Sequence, residues 1–271
     1  MKTSRLVVHE QEMSYLIKES DNPVLTVIFI HGFPLGKEIW TSQLNALPKD
    51  IQGIAYDIRG YGDSHPGHGF FSIDLFAADL IGFIENLKLQ RVVLCGISMG
   101  GYIALRAFER APGVFSALIL CDTNASSDPN EAKLNRFASI EKIQFEGKGA
   151  FANDFVKKIF ADKTLEGNHD LVNFIYKMIM DLPESTLCAS QLALASRTET
   201  IDVLPAIKIP TLVVRGAEDR LMSAEQARGL HDKIKNSRLI EIPLSGHLPN
   251  LENPEEFNKT MNDFLQTVKG A

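Results

Sequence analysis

A serine hydroxyl, an imidazole and a carboxylate together can carry out nucleophilic acyl transfer. The imidazole takes the hydroxyl proton, and the carboxylate holds the imidazole in one tautomer. Ser98 sits in Gly96-Ile97-Ser98-Met99-Gly100, a Gly-x-Ser-x-Gly pattern. Such a pattern arises by chance about 0.1 times in a chain of this length, so its setting has to decide its meaning. The apolar run VVLCGI precedes it and the helical pattern YIALRAFER follows it. A strand–turn–helix bend lifts a serine to the carboxyl edge of a sheet, and the bend leaves no room for β-carbons at Gly96 and Gly100. The helix start behind Ser98 adds positive potential.

The base must come from seven histidines. His247, in Leu244-Ser245-Gly246-His247-Leu248-Pro249, follows the last strand-like run and falls at the same sheet edge. His31 also follows a strand but leads into Gly32-Phe33-Pro34, which reads as a loop brace. His65 and His68, in SHPGHG, have no third donor nearby for a metal, and His9, His169 and His231 read as surface residues. Asp219 follows the strand-like TLVVRG and is the candidate acid; Asp122, ending ALILCD, is its rival, and adjacent Glu218 would point elsewhere. The oxyanion of acyl transfer needs donors. Met99 N–H follows the nucleophile, and Phe33 N–H is the candidate from the loop after VLTVIFI, because Pro34 has none. This chemistry calls for no metal and no cofactor.

These residues must be held by an alternating fold. Strands are predicted over Arg5–His9, Met13–Lys18, Val24–Ile30, Ile51–Asp57, Arg91–Ile97, Val114–Asp122, Thr211–Gly216 and Ser237–Pro243. The first two, split by Glu10-Gln11-Glu12, read as an antiparallel edge hairpin. VLTVIFI, VVLCGI and TLVV are apolar almost throughout, as parallel strands covered on both faces are. Helices are predicted over Ser72–Leu87, Gly101–Arg110, Ser223–Lys235 and Pro254–Val268, the first and third with serine N-caps. Strand and helix in alternation imply an α/β fold with a mostly parallel eight-stranded sheet flanked by helices. Residues 126–199 hold only amphipathic helical segments, EAKLNRFASIEKIQ, GAFANDFVKKIF, HDLVNFIYKMIM and STLCASQLALAS. They read as a helical cap inserted after the sixth strand, with 1–125 and 200–271 forming the core.

The 271 residues, 45% hydrophobic, are enough for a sizeable core. A net charge of -6 argues against nucleic acid as a partner. No apolar run is long enough to span a membrane, and the charged N-terminus lacks a signal-peptide apolar region, so a cytoplasmic location is expected. Three cysteines do not make a disulfide framework; Cys95 and Cys121 read as reduced core residues. A homo-oligomer stays open, since periodicity does not separate an exposed apolar face from core.

HGFP at 31–34, DIRGYGDS at 57–64, GISMGG at 96–101, GAEDRL at 216–221 and SGHLPNLENPEEF at 245–257 together resemble the α/β-hydrolase superfamily. The chain order Ser98, Asp219, His247 suits it. The closer similarity is to small bacterial carboxylesterases and to 3-oxoadipate enol-lactonase-like proteins, where CDTNA at 121–125 followed by a helical cap also fits. In DIRGYGDS, Asp57 and Arg59 are expected to tie loops together, with Ser64 a turn residue.

The resemblance implies a serine hydrolase cleaving short- to medium-chain carboxylic esters through an acyl-enzyme, acting on a small-molecule ester. Lactone opening of the enol-lactonase type, with perhydrolysis as a side activity, is the alternative. Carbon–carbon bond hydrolysis and a ligand-receptor role stand further off. Epoxide hydrolases and haloalkane dehalogenases use an aspartate where Ser98 stands. Pocket walls are expected from Phe33, Leu35, Trp40, Met99, Leu221 and Leu248, with Phe137, Phe151, Ile159 and Met178 from the cap. Few basic residues are assigned to the mouth, which favours a neutral ester unless Arg136, Lys133 or Arg197 face in.

Overall fold

A computed structural model describes residues 1–270. Eight strands form one sheet: β1 (Lys2–Val8), β2 (Gln11–Lys18), β3 (Leu25–Ile30), β4 (Ile51–Tyr56), β5 (Val92–Ile97), β6 (Phe115–Cys121), β7 (Thr211–Gly216) and β8 (Ser237–Ile242). Their order is β1-β2-β4-β3-β5-β6-β7-β8. β1 and β2 pair antiparallel, as does β2 with β4; every later pairing is parallel. All eight predicted strands are present. β1 begins earlier than expected, at Lys2, because its edge position leaves Lys2, Thr3 and Arg5 exposed and needs no apolar signal there.

β3, β5 and β7 are buried at every residue, as apolar strands under helices on both faces must be. Burying a Val, Leu or Ile side chain contributes about 1.5–3 kcal/mol. The helices are α1 (Thr41–Ala46), α2 (Ile73–Asn86), α3 (Met99–Arg110), α4 (Asn130–Glu146), α5 (Lys148–Ile159), α6 (Asp162–Gly167), α7 (His169–Asp181), α8 (Glu184–Ala195), α9 (Ala224–Lys233), α10 (Pro249–Glu252) and α11 (Pro254–Lys269). α2 starts at its Ser72 cap, which accepts from Leu75 N–H, and α9 opens with a full capping box between Ser223 and Gln226. α4 to α8 all lie between β6 and β7, at the carboxyl end of the serine strand's neighbour. Four of them match the helical segments read from sequence. The short α6, like α1 and α10, has too few turns to show a period. No helix among the described residues is long and apolar enough to cross a membrane.

Candidate active site

β5 ends at Ile97 and α3 begins at Met99, so Ser98 alone makes the bend. Its φ of 54° and ψ of -117° are a strained conformation for a residue with a side chain. The bend is held from its backbone. Ser98 N–H donates to the Cys121 carbonyl at 2.9 Å, and the Thr123 hydroxyl donates to the Ser98 carbonyl at 2.8 Å. A β-carbon on Gly96 would lie 2.3 Å from the Gly100 carbonyl oxygen, and one on Gly100 would lie 2.2 Å from that of Ile30. Only glycine lets the start of α3 pass this close to β3 and β5.

The loop after β3 runs beside the serine. A β-carbon on Gly32 would come within 3.0 Å of Ser98 Cβ. Neither Phe33 N–H nor Met99 N–H meets a hydrogen-bond acceptor among the described residues. Met99 is the first residue of α3, where a backbone N–H has no partner within the helix. His31 is fully buried behind this loop, with Nδ1–H donating to Gly32 O at 2.9 Å and Nε2 accepting from Ile58 N–H at 3.0 Å. Burial lowers its pKa to about 4, so the ring is a neutral brace.

His247 Nδ1 lies 2.8 Å from Asp219 Oδ2, and both side chains are closed to solvent. The other carboxylate oxygen of Asp219 accepts from Leu221 N–H at 2.7 Å. Burial alone would push Asp219 up, but the His247 imidazole and its hydrogen bond outweigh it and hold Asp219 below the usual carboxylate range. With Nδ1–H committed to Asp219, Nε2 is left as the acceptor nitrogen of the ring. His247 N–H donates to Ile159 O at 2.7 Å, tying the imidazole's residue to the end of α5.

Asp122 does not occupy the acid's place beside the imidazole. Its Oδ1 accepts from Gly216 N–H at 2.8 Å, and burial, with the Asp219 charge, pushes its carboxyl well up. Asp122, Asp219 and His247 form the one cluster of three possible metal donors among the described residues, their donor atoms within 4.8 Å of one another. Backbone donors and the imidazole occupy both oxygens of Asp219 and one of Asp122, leaving Asp122 Oδ2 without a partner. His65 is engaged instead with Gln11 and Gly67 N–H.

Ser98 and His247 face one cavity of about 290 Å³. Phe33, Met99, Tyr102, Leu221 and Met222 line it from the sheet side; Arg136, Phe151, Phe155, Gln191 and Leu194 line it from the inserted helices. Six expected wall residues are elsewhere. Leu35 lines a second cavity of about 320 Å³, together with Met178 of α7. Trp40 is fully buried between Phe29 and Phe257, at ring distances of 5.1 and 6.1 Å, because the chain has by then turned under the sheet edge. Leu248 is buried in the core, where its carbonyl accepts from Leu251 N–H and Glu252 N–H in the tight turn after His247. Ile159 is core and Phe137 is exposed on α4.

The expectation of few basic residues at the mouth is also corrected. Arg136, Lys142 and Lys158 all line the cavity. Arg136 Nε donates to Asp128 at 3.0 Å, and Arg197 donates to the same carboxylate at 2.8 Å while stacking over the Tyr102 ring. One carboxylate therefore serves two guanidinium groups. The orientation of α4 sets this arrangement, and its sequence carries no sign of which face docks inward.

Asp57 ties loops, as expected: it accepts from Lys37 N–H and Lys37 Nζ, at 2.8 and 2.6 Å, and from Asp63 N–H at 3.0 Å. Arg59 instead pairs with Asp79 of α2, at 2.6 and 2.7 Å. Ser64 closes the turn onto Asp57 O and Ser14 N–H. Glu252 was not singled out from sequence. One of its oxygens accepts from Gly246 N–H at 2.8 Å, beside His247; the other accepts from Ala161 N–H at 2.9 Å and the Thr164 hydroxyl at 2.7 Å. Burial pushes its carboxyl up.

Comparison with known proteins places these features. The esterase of Thermogutta terrifontis, solved with malate bound, superposes with a TM-score of 0.91 at 30% identity, covering 99% of this chain and 100% of that one. A putative non-heme chloroperoxidase of Synechocystis sp. is 31% identical over 253 residues, 89% of this chain and 91% of the relative. 3-Oxoadipate enol-lactonase 2 of Acinetobacter baylyi is 27% identical over 92% of this chain and 90% of its own length. The match to the alpha/beta hydrolase family spans residues 27–260. With its eight-stranded, mostly parallel sheet and its serine at the β5–α3 bend, the chain belongs to that family.

Proposed function

We propose that this protein is a serine hydrolase that cleaves carboxylic esters through an acyl-enzyme. The observation that carries the reading is the buried His247–Asp219 pair opening onto the same cavity as Ser98, itself on a strained bend. In this mechanism His247 Nε2 takes the Ser98 proton as Oγ attacks the ester carbonyl. Phe33 N–H and Met99 N–H receive the developing oxyanion. His247 then returns the proton to the leaving alcohol. Water, activated by the same nitrogen, hydrolyses the acyl-enzyme. Asp219 holds the tautomer and stabilises the imidazolium. The helices of residues 126–199 act as a cap that closes the cavity over the sheet edge.

The guanidinium of Arg136 favours a second reading within the same chemistry, in which the ester or lactone itself carries a carboxylate. Arg136 and Arg197 share Asp128, Lys142 pairs with Asp154, and Lys158 adds a further cation on the cavity wall, so positive charge is in excess there. A relative named for enol-lactonase activity supports the lactone form.

The test is turnover of p-nitrophenyl acetate, butyrate, octanoate and laurate by wild type and Ser98→Ala. Turnover falling with chain length, and lost in the variant, is expected for a cavity of about 290 Å³. Activity kept by Ser98→Ala would overturn the reading.

A further inference from the structure

Asp122 carries a buried carboxyl whose second oxygen has nothing to bond. Its residue is 2% exposed and its φ is 43°, a left-handed backbone that aims the side chain across the ends of β6 and β7. Oδ1 accepts from Gly216 N–H, but Oδ2 is fully buried without a donor. The carboxyl lies beside Asp219, with one of its oxygens within 4.8 Å of a carboxylate oxygen of Asp219 and of a ring nitrogen of His247. The ionisable groups that face it are Asp219 at the end of β7, His247 after β8 and the neighbouring Cys121 thiol. No Lys or Arg pairs with it; Arg215, which donates to the Asp219 carbonyl, is spent on that oxygen, on Met222 O and Ala217 O and on Glu241.

Two ionised carboxylates in this position would repel without screening, and one oxygen would stay unsatisfied. A single proton on Oδ2 removes both problems, because Asp219 has lone pairs left after accepting from Leu221 and His247. We propose that Asp122 is a positioning residue that stays protonated through the catalytic cycle and donates a hydrogen bond to Asp219, fixing the plane of the carboxylate that orients His247. It touches no substrate atom and gives up no proton. Burial and the Asp219 charge both act in the direction of keeping that proton. The inference rests on Asp219 and His247 acting as proposed above, but its physical core, a neutral Asp122, is tested without activity.

The experiment compares Asp122→Asn and Asp122→Ala with wild type. Asparagine reproduces the protonated acid, with Oδ1 for Gly216 N–H and an N–H for Asp219. Its infrared difference spectrum against wild type at neutral pH should show one protonated-carboxyl band lost. Its kcat/KM should stay within about twofold of wild type, with the acid limb of the pH profile unmoved, since the loss of one hydrogen bond to a charged carboxylate is about tenfold or more and here none is lost. Asp122→Ala should lower kcat by about tenfold with KM little changed. A difference spectrum without that band, an acid limb moved to lower pH in Asp122→Asn, or an asparagine variant that folds and is as impaired as alanine would each overturn the proposal. Full activity in Ser98→Ala would sink the triad reading alone and leave the infrared result standing.

Discussion

Asp219 meets His247 at 2.8 Å through one carboxylate oxygen and holds the Leu221 backbone through the other. The two bonds set the plane of the acid from both sides. Asparagine at 219 keeps one acceptor and presents an N–H to the other partner, so the imidazole is driven into the wrong tautomer. Asp219→Asn should lose about 10³–10⁴-fold in kcat with little change in melting temperature. Steady-state kinetics on p-nitrophenyl butyrate and a thermal melt check this.

Arg136 reaches the cavity from α4 with Nε and Nη1 of its guanidinium committed to Asp128 and Gln191. A carboxylate-bearing ester would take the remaining N–H groups, and a charged hydrogen bond contributes about 1.5–3 kcal/mol. Arg136→Gln should cut kcat/KM for a monoester of succinate or glutarate by about 10-fold or more and leave p-nitrophenyl butyrate unchanged. Equal loss on both esters would assign Arg136 to packing.

Glu252 accepts from donors on two separate segments. Glutamine turns one acceptor oxygen into a donor facing N–H or O–H groups. Glu252→Gln should cost about 1–3 kcal/mol of stability, since an unsatisfied buried group carries its desolvation penalty. It should also lower kcat, because Gly246 precedes His247, the proposed base. Denaturant melts and kcat for the same preparation report the two effects.

His31 links stability to pH. Its pKa falls from 6.5 to about 4 on folding, through burial. Between those values the unfolded chain binds the extra proton, so stability rises with pH. The contribution is fully present above about pH 6.5 and is lost progressively as pH falls from there to about 4. Its size is about 3 kcal/mol. Denaturant unfolding at pH 7 and pH 4.5 should show this loss in wild type, and the His31→Gln variant should show a smaller difference between the two pH values.

The site was legible where chemistry and backbone geometry impose residue types. Gly96 and Gly100 announce a bend that admits no β-carbon, and the contacts a β-carbon would make at each bear this out. His247 and Asp219 follow strands whose apolar runs mark their ends. Orientation was not legible. Leu35, Trp40 and Leu248 are apolar residues in the segments that follow β3 and β8, and hydrophobicity alone does not say whether such a side chain turns to a cavity or into the core. Arg136 was ambiguous for a similar reason, since α4 carries charge on several faces. Glu252 was hidden because a single glutamate just ahead of the Asn253 cap carries no motif of its own, and its partners at Ala161 and Thr164 lie some ninety positions away.

The clamp at Glu252 bears on how this scaffold can be re-engineered. Its carboxylate joins the turn that carries His247 to the start of α6, and His247 N–H adds a bond to Ile159 just before it. A graft that replaces the inserted helices to change specificity would cut through these bonds if its seam fell at the β6 and β7 ends alone. The transplantable unit is therefore discontinuous: the donor helices must bring a backbone N–H and a hydroxyl to the positions of Ala161 and Thr164, or the base arrives in the hybrid without its support.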